Sequence, residues 1–316
     1  MPSFPKPKFP YSFQVQAEID KLRIQKSLPD RIIPAKSDDN LLIATWNIAN
    51  LGAQDRLDEH YKLIAEIISW YDIVAIQEVK DDLGGLRGIQ KFLPANYKAL
   101  FSDVAGNEER MAYLYDGDKV NIKEKIGEIA IPPVQYKHIK IDGFTQAFNG
   151  FDRNPYLASF QFGQFDFLLV NVHLYFGDDI EKASIERRCL ETFAVARWAD
   201  LRRNSPNAYT KNIIALGDFN LPKTDPADPI YKALTSKGLV LPEHATKIYS
   251  NISNDKEYDQ IAFFPGLKSK IADKGVFPFD MVLFSDLYDP KKPKNFREYL
   301  RYYISDHRPK WIQVGL

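Results

Sequence analysis

Four short motifs close apolar runs that lie far apart in the chain: Trp46-Asn47, Gln77-Glu78, Gly217-Asp218-Phe219-Asn220 and Ser305-Asp306-His307-Arg308-Pro309. Each follows β-branched or apolar residues and ends in a carboxylate, a carboxamide or an imidazole. A polar group at the tip of a buried strand loses its water and needs other partners. Strand tips that meet at one point can partner one another and hold a divalent cation. Together the four read as a metal-dependent active site.

Taken singly, the residues have plainer readings. Asn47 suits a turn. His173, after the apolar run 167–172, suits a satisfied core histidine. Glu78 is harder to place so simply, because it closes the run Ile73-Val74-Ala75-Ile76-Gln77. A glutamate there is costly unless paired or bound to metal. Asp218 and Asn220 flank Phe219, so in extended geometry both point the same way and can hold a water or an oxyanion. Asp306-His307 sets a hard oxygen ligand beside a general base.

The elements that must position these groups follow from periodicity. Apolar runs predict strands over 41–47, 72–79, 110–115, 120–126, 157–162, 165–174, 212–218, 259–264 and 311–314. Helical spacing predicts helices over 13–28, 56–70, 86–93, 180–203 and 230–236. The first has Ile19, Leu22 and Ile24 as anchors and stops at Pro29 and Pro34. Strands and helices interleave, which predicts mixed sheets covered by helices. Residues 1–39 read as an extension packed outside a catalytic domain spanning 40–316, and the Pro-rich stretch 1–10 as extended chain. In 288–303, Lys291, Lys292, Lys294, Arg297 and Arg301 interleave with Phe296, Tyr299, Tyr302 and Tyr303. That segment reads as a basic, aromatic surface or as a solvated loop.

Composition narrows the class. The chain has 316 residues, 45% of them hydrophobic, enough for a sizeable core. Lys+Arg and Asp+Glu both number 42, so any acidic polymer must meet a local basic patch, with no global field to help. The single cysteine, Cys189, falls in a helical pattern and reads as a small buried residue in a reducing compartment. The amino terminus has no secretory h-region, and no run reaches membrane-spanning length. A cytoplasmic protein is expected, with no membrane span and no readable protein partner.

The order Asn47, Gln77-Glu78, Glu109-Arg110, Arg153-Asn154-Pro155, Asn171-Val172-His173, Gly217-Asp218-Phe219-Asn220, Tyr258-Asp259 and Ser305-Asp306-His307-Arg308-Pro309 resembles the endonuclease/exonuclease/phosphatase superfamily, in its deoxyribonuclease I-like branch. The resemblance runs from about Leu41 to Val314. It implies an α/β fold, a four-layer sandwich of two mixed β-sheets packed face to face with helices outside. It implies cleavage of a phosphate ester with Mg²⁺ or Mn²⁺ held by Glu78, Asn47 and Asp306. It implies His307 as general base on Asp259, and Asp218 and Asn220 as the groups that orient water and phosphoryl oxygen. His173, paired with Glu109, would serve the leaving oxygen. Arg153, Arg110 and Lys80 would contact substrate phosphate, although Arg110 can equally pair with Asp103 or Glu108. The pattern departs from the vertebrate enzymes at Asn107, where they carry a tyrosine. It departs from abasic-site endonucleases at Leu174-Tyr175-Phe176-Gly177. A DNA nuclease is the first expectation. A phosphatase or phosphodiesterase for a small or lipid-linked ester is the second, and a binding module on a decayed enzyme fold the third.

Overall fold

Along the segment 41–48 apolar side chains fill both faces of the strand. Leu41 and Ile43 enter one core, and Leu42, Ala44, Trp46 and Ile48 another. A strand buried on both faces must sit inside a sheet that is itself covered on both sides. The computed structural model describes residues 3–29, 32–243 and 248–315. Met1 and Pro2, the start of the stretch expected to be extended, lie outside them.

The elements follow in chain order as α1 (Val15–Lys26), β1 (Asn40–Leu51), α2 (Asp58–Ser69), β2 (Ile73–Lys80), α3 (Gly84–Gln90), β3 (Tyr97–Phe101), β4 (Glu109–Asp116) and β5 (Asn121–Glu128). Then come β6 (Tyr156–Phe162), β7 (Phe165–His173), α4 (Lys182–Arg203), β8 (Ile213–Asp218), α5 (Pro229–Thr235), β9 (Asp259–Phe263), β10 (Ile271–Val276), α6 (Pro293–Tyr303) and β11 (Lys310–Gly315).

Two mixed sheets result, in the orders β10-β11-β1-β2-β4-β3 and β5-β6-β7-β8-β9. Each holds one parallel pair, β1 with β2 and β7 with β8, and every other pairing is antiparallel. Ile43, Ala75, Tyr113, Phe160, Phe167, Leu216 and Ile312 fill the space between the sheets. Leu22, Leu63, Leu86 and Leu300 of α1, α2, α3 and α6 cover the outer face of the first sheet. Cys189, Val195 and Leu234 of α4 and α5 cover the second. Burial pushes the Cys189 thiol up to about 12, as suits a residue that only packs. This is the expected α/β sandwich. No helix among the described residues is long and apolar enough to cross a membrane.

The sequence reading missed three elements. β3 and β10 are edge strands of their sheet with little alternation, so periodicity is weak there. The third, α6, alters the aromatic half of the reading of 288–303 as a basic, aromatic surface, while Lys291, Lys292, Lys294 and Arg297 stay exposed. The segment folds as an amphipathic helix that turns Tyr299, Leu300 and Tyr302 into the core. Among the anchors expected in α1, Leu22 is buried and Ile19 half-buried, but Ile24 is 64% exposed.

The seam between β7 and β8 has a strict steric requirement. Gly217 pairs with Val172 at a φ of +135°, and a Cβ there would lie 2.1 Å from the Val172 carbonyl oxygen. We expect Gly217→Ala to lose roughly 3 kcal/mol of stability, the scale of a forced backbone conformation compounded by a clash. Urea unfolding followed by circular dichroism checks this, and an unchanged midpoint would contradict it.

Candidate active site

The two parallel pairs place their C-terminal ends side by side. Asn47 of β1 sits opposite Gln77 of β2, and His173 of β7 opposite Asp218 of β8, which in turn faces Asp259 of β9. Asp306 and His307 lie between α6 and β11. A buried amide bridge pins the two sheets at this end. Gln77 Nε2 donates to Asn171 Oδ1 at 2.6 Å, and Asn171 Nδ2 donates to the carbonyls of Ile76 and Ala112.

Glu78 reaches the site through a bulge. Its φ is +61°, and the registers of β2 with both β1 and β4 shift around it. Such a bulge re-aims a side chain that regular pleating would send elsewhere. Glu78 Oε1 accepts from Asn47 Nδ2 at 2.9 Å and Oε2 from the Asn50 amide at 2.8 Å. Asn47 Nδ2 also donates to Asp218 Oδ2 at 3.0 Å. Asn47 Oδ1 is a buried acceptor with no donor among the described residues.

Asp218 lies between two imidazoles. Its Oδ2 is 3.9 Å from His307 Nδ1 and 3.9 Å from His173 Nε2. Each histidine has its own carboxylate behind it: His307 Nδ1 is 2.8 Å from Asp259 Oδ2, and His173 Nδ1 is 3.2 Å from Glu109 Oε2. Burial works against a charged His307, but the charge and hydrogen bond of Asp259, with Asp218 and Asp306 nearby, hold its pKa well above the usual value. Burial likewise raises Glu109, yet His173, Arg153 and Lys80 outweigh it and hold that carboxyl down at about 2. The main chain of His307 is fixed as well. Its carbonyl accepts from Trp46 Nε1 at 2.7 Å and its amide donates to Ser305 Oγ at 3.0 Å.

Asn220 is placed differently from the extended reading. It has a φ of +51°, so the chain turns after Asp218. Its amide N–H donates to Asp218 Oδ1 at 2.8 Å, and its Nδ2 donates to the Leu174 carbonyl at 2.7 Å. Asn220 thus anchors the end of β7 and fixes Asp218, so its side chain does not stand parallel to that of Asp218.

The three cations expected on substrate phosphate are placed unequally. Arg153 is buried; its Nε and Nη2 donate to the carbonyls of His173 and Leu174, and its Nη1 lies 2.9 Å from Asp152. Arg110 pairs with Asp81 at 2.5 Å and with Asp103 at 3.6 Å. Lys80 pairs with Glu109 at 3.1 Å. Arg56, which carried no signal in the sequence, is also structural. Buried, it donates to the carbonyls of Ala49, Asn50, Tyr303 and Ile304, tying the end of β1 to the end of α6. Gln77 and Asn171 lay within the recognised motifs, but their role as a bridge did not show there.

Two oxygen-rich groups could hold a cation. Atoms of Asp218, Asp259 and His307 lie within 4.8 Å of one another. In that group Asp218 accepts from Asn220 and Asn47 and His307 Nδ1 is spent on Asp259, while Asp259 Oδ1 is buried with no donor among the described residues. Asn47, Glu78 and Asp306 form the second group, which has no imidazole in it. Asn47 Oδ1 lacks a donor, and burial and the neighbouring Glu78 raise the Asp306 carboxyl. An all-oxygen set with unmet acceptor capacity suits a hard divalent cation, and sulfur, the softer donor, is absent from it.

No family model matches the sequence, and no curated protein matches it. Solved structures do resemble the fold. A mannosyl-6-phosphatase from Bacteroides thetaiotaomicron is 19% identical, with 87% of this chain and 100% of that chain covered at a TM-score of 0.55. A humanized D. rerio TDP2 is 16% identical over 89% and 100% of the two chains, TM-score 0.57. An AP endonuclease from Archaeoglobus fulgidus is 15% identical over 87% and 99%, TM-score 0.55. With two mixed sheets face to face and helices outside, the chain has the deoxyribonuclease I-like fold of the endonuclease/exonuclease/phosphatase proteins.

Proposed function

We propose that this protein hydrolyses phosphate esters with a divalent cation, and that a nucleic-acid phosphodiester, DNA before RNA, is its foremost substrate. The reading takes 40–316 as the catalytic domain, 1–39 as an extension and the cytoplasm as its compartment. The observation that carries it is the pair of carboxylate-backed imidazoles flanking Asp218. Hydrolysis of a phosphate ester needs opposite proton traffic at two oxygens: the water loses a proton and the leaving oxygen gains one. Two separately supported imidazoles meet both needs. His307, with Nδ1 on Asp259, takes the water proton at Nε2 from its neutral form, which a bound cation would favour by offsetting the surrounding carboxylates, and Asp259 stabilises the imidazolium that forms. His173, with Nδ1 toward Glu109, serves the leaving oxygen from its Nε2 face. Asp218 lies between them and orients the water. Asn47, Glu78 and Asp306 would hold Mg²⁺ or Mn²⁺, which when bound neutralises phosphoryl charge.

A second reading, a small or lipid-linked phosphate ester, is favoured by one observation. Arg110 and Lys80 are paired with carboxylates and Arg153 is buried against main-chain carbonyls, so all three cations expected on a polymer backbone are already engaged. The fold neighbours include a phosphatase, an AP endonuclease and a D. rerio TDP2 complexed with single strand DNA product, so the fold is compatible with both readings.

Purified protein incubated with plasmid DNA, single-stranded DNA, RNA and a generic phosphomonoester, each with Mg²⁺, Mn²⁺ or EDTA, separates them. Nicking supports the first reading, and phosphate release without nicking the second. Silence throughout ends both. On whichever substrate reacts, we expect His307→Ala to lower turnover by roughly two to four orders of magnitude, the usual worth of a general acid or base. A variant retaining full turnover removes His307 from the chemistry. For the cation, Glu78→Gln should weaken Mn²⁺ binding at least about tenfold in titrations followed by electron paramagnetic resonance, because it replaces a charged oxygen ligand by a neutral one. Equal affinity would place the cation elsewhere.

A further inference from the structure

Most cations around the cleft are already committed. Lys80 pairs with Glu109 and Arg110 with Asp81. Lys256 and Arg188 both reach Asp179. Arg56 and Arg153 are occupied by main-chain carbonyls. A phosphodiester polymer carries a charge at every link, so a hydrolase acting on one gains from a cation beside the catalytic centre, set to meet a phosphate other than the reacting one.

Arg301 has that position and is not committed. It lies on the last turn of α6, five residues before Asp306, and is half-exposed. Among the described residues no carboxylate pairs with it. Its partner is an aromatic ring: the guanidinium carbon is 4.7 Å from the ring centre of Phe4. The Arg56 clamp joins the end of α6 to the end of β1, where the Asn50 amide meets Glu78, so the last turn of α6 stands at the rim of the proposed cation site.

Phe4 reaches this place because the N-terminal segment runs as a strap along α6. Tyr11 and Phe9 pack on Tyr299, Phe13 on Phe284 and His60, and Lys6 reaches Asp55 at 3.4 Å. An aromatic ring beside a guanidinium restrains it without consuming its N–H donors as a carboxylate would. Their planar fork matches two phosphate oxygens.

We propose that Arg301, held by Phe4 of the N-terminal strap, binds a second phosphate of the substrate, one link from the phosphate that is hydrolysed. This rests on the phosphoester reading of the site and gives the extension a role in substrate binding. A nucleic-acid strand and a small bisphosphate both offer that chemistry.

The test uses the full chain in EDTA, so that binding is read without turnover. Anisotropy of a fluorescein-labelled single-stranded oligonucleotide gives affinity and its salt dependence, and a nucleoside 3′,5′-bisphosphate serves as competitor. We expect Arg301→Ala to bind the oligonucleotide about tenfold more weakly, with a salt slope smaller by about 0.7, the loss of one phosphate contact on a single strand. Arg301→Lys should fall between, because an ammonium cannot present the fork. Phe4→Ala should weaken binding less than Arg301→Ala, and Lys237→Ala, in the turn after α5, should change nothing. Competition by the bisphosphate that Arg301→Ala abolishes identifies a small ester as source, and oligonucleotide binding without such competition identifies a strand. Binding equal to wild type in an Arg301→Ala chain of unchanged melting temperature overturns the proposal, as does a wild-type chain that binds neither probe at low salt. Arg301-dependent binding with no hydrolysis under Mg²⁺ would leave this contact standing and remove the hydrolase reading instead.

Discussion

Four carboxylates, Glu78, Asp218, Asp259 and Asp306, are brought to one end of the sandwich, and their mutual repulsion is the constraint around which the site is built. Desolvated negative charge costs several kcal/mol per group unless donors surround it. The structure supplies them one by one: Asn47 Nδ2 bridges Glu78 and Asp218, the Asn50 amide meets Glu78, the Asn220 amide meets Asp218, and His307 meets Asp259. What remains is an excess of oxygen at Asn47 Oδ1, Asp259 Oδ1 and Asp306, which a cation would help to complete.

Holding those donors still requires the sheets to meet at a fixed spacing, and side-chain bonds to main chain do much of that work. Gln77 and Asn171 bridge the sheets between the two parallel pairs. Trp46 holds the His307 carbonyl, Arg153 the carbonyls of His173 and Leu174, and Arg56 those at the ends of β1 and α6. A planar guanidinium with several donors suits this task, because one side chain can satisfy carbonyls from separate segments. The same commitment removes these arginines from the surface where a substrate phosphate would meet them.

The outer layer on the first sheet links the N-terminal segment to the site. Leu22 and Ile33 belong to the same core as Trp46 and Leu300, so the strap and α1 are packed with α2 and α6. Glu18 is buried there, accepting from the Phe284 amide and pairing with Lys21. The helix that leads into Asp306 is thereby braced from the side opposite the sheet.

Periodicity and residue type were enough for the central strands and for the covering helices other than α6. An apolar run ending in a polar group is a local signal, and the energetic penalty on that group is the same in any fold. Glu78, Asp218 and His307 were legible for that reason, whereas Asp259, at the start of β9, was legible only through the family resemblance. The bulge at Glu78, the left-handed backbone at Asn220 and the carboxylates that capture Arg110 were not, because each depends on which distant segments become neighbours. Charge and aromaticity in 288–303 looked the same whether the segment lay open or folded as α6; only the core beneath it decided that Tyr299 and Tyr302 turn inward. A sequence states which groups are too costly to leave alone, and the tertiary structure chooses their partners, since hydrogen bonds and ion pairs form between positions that the chain separates and the fold brings together.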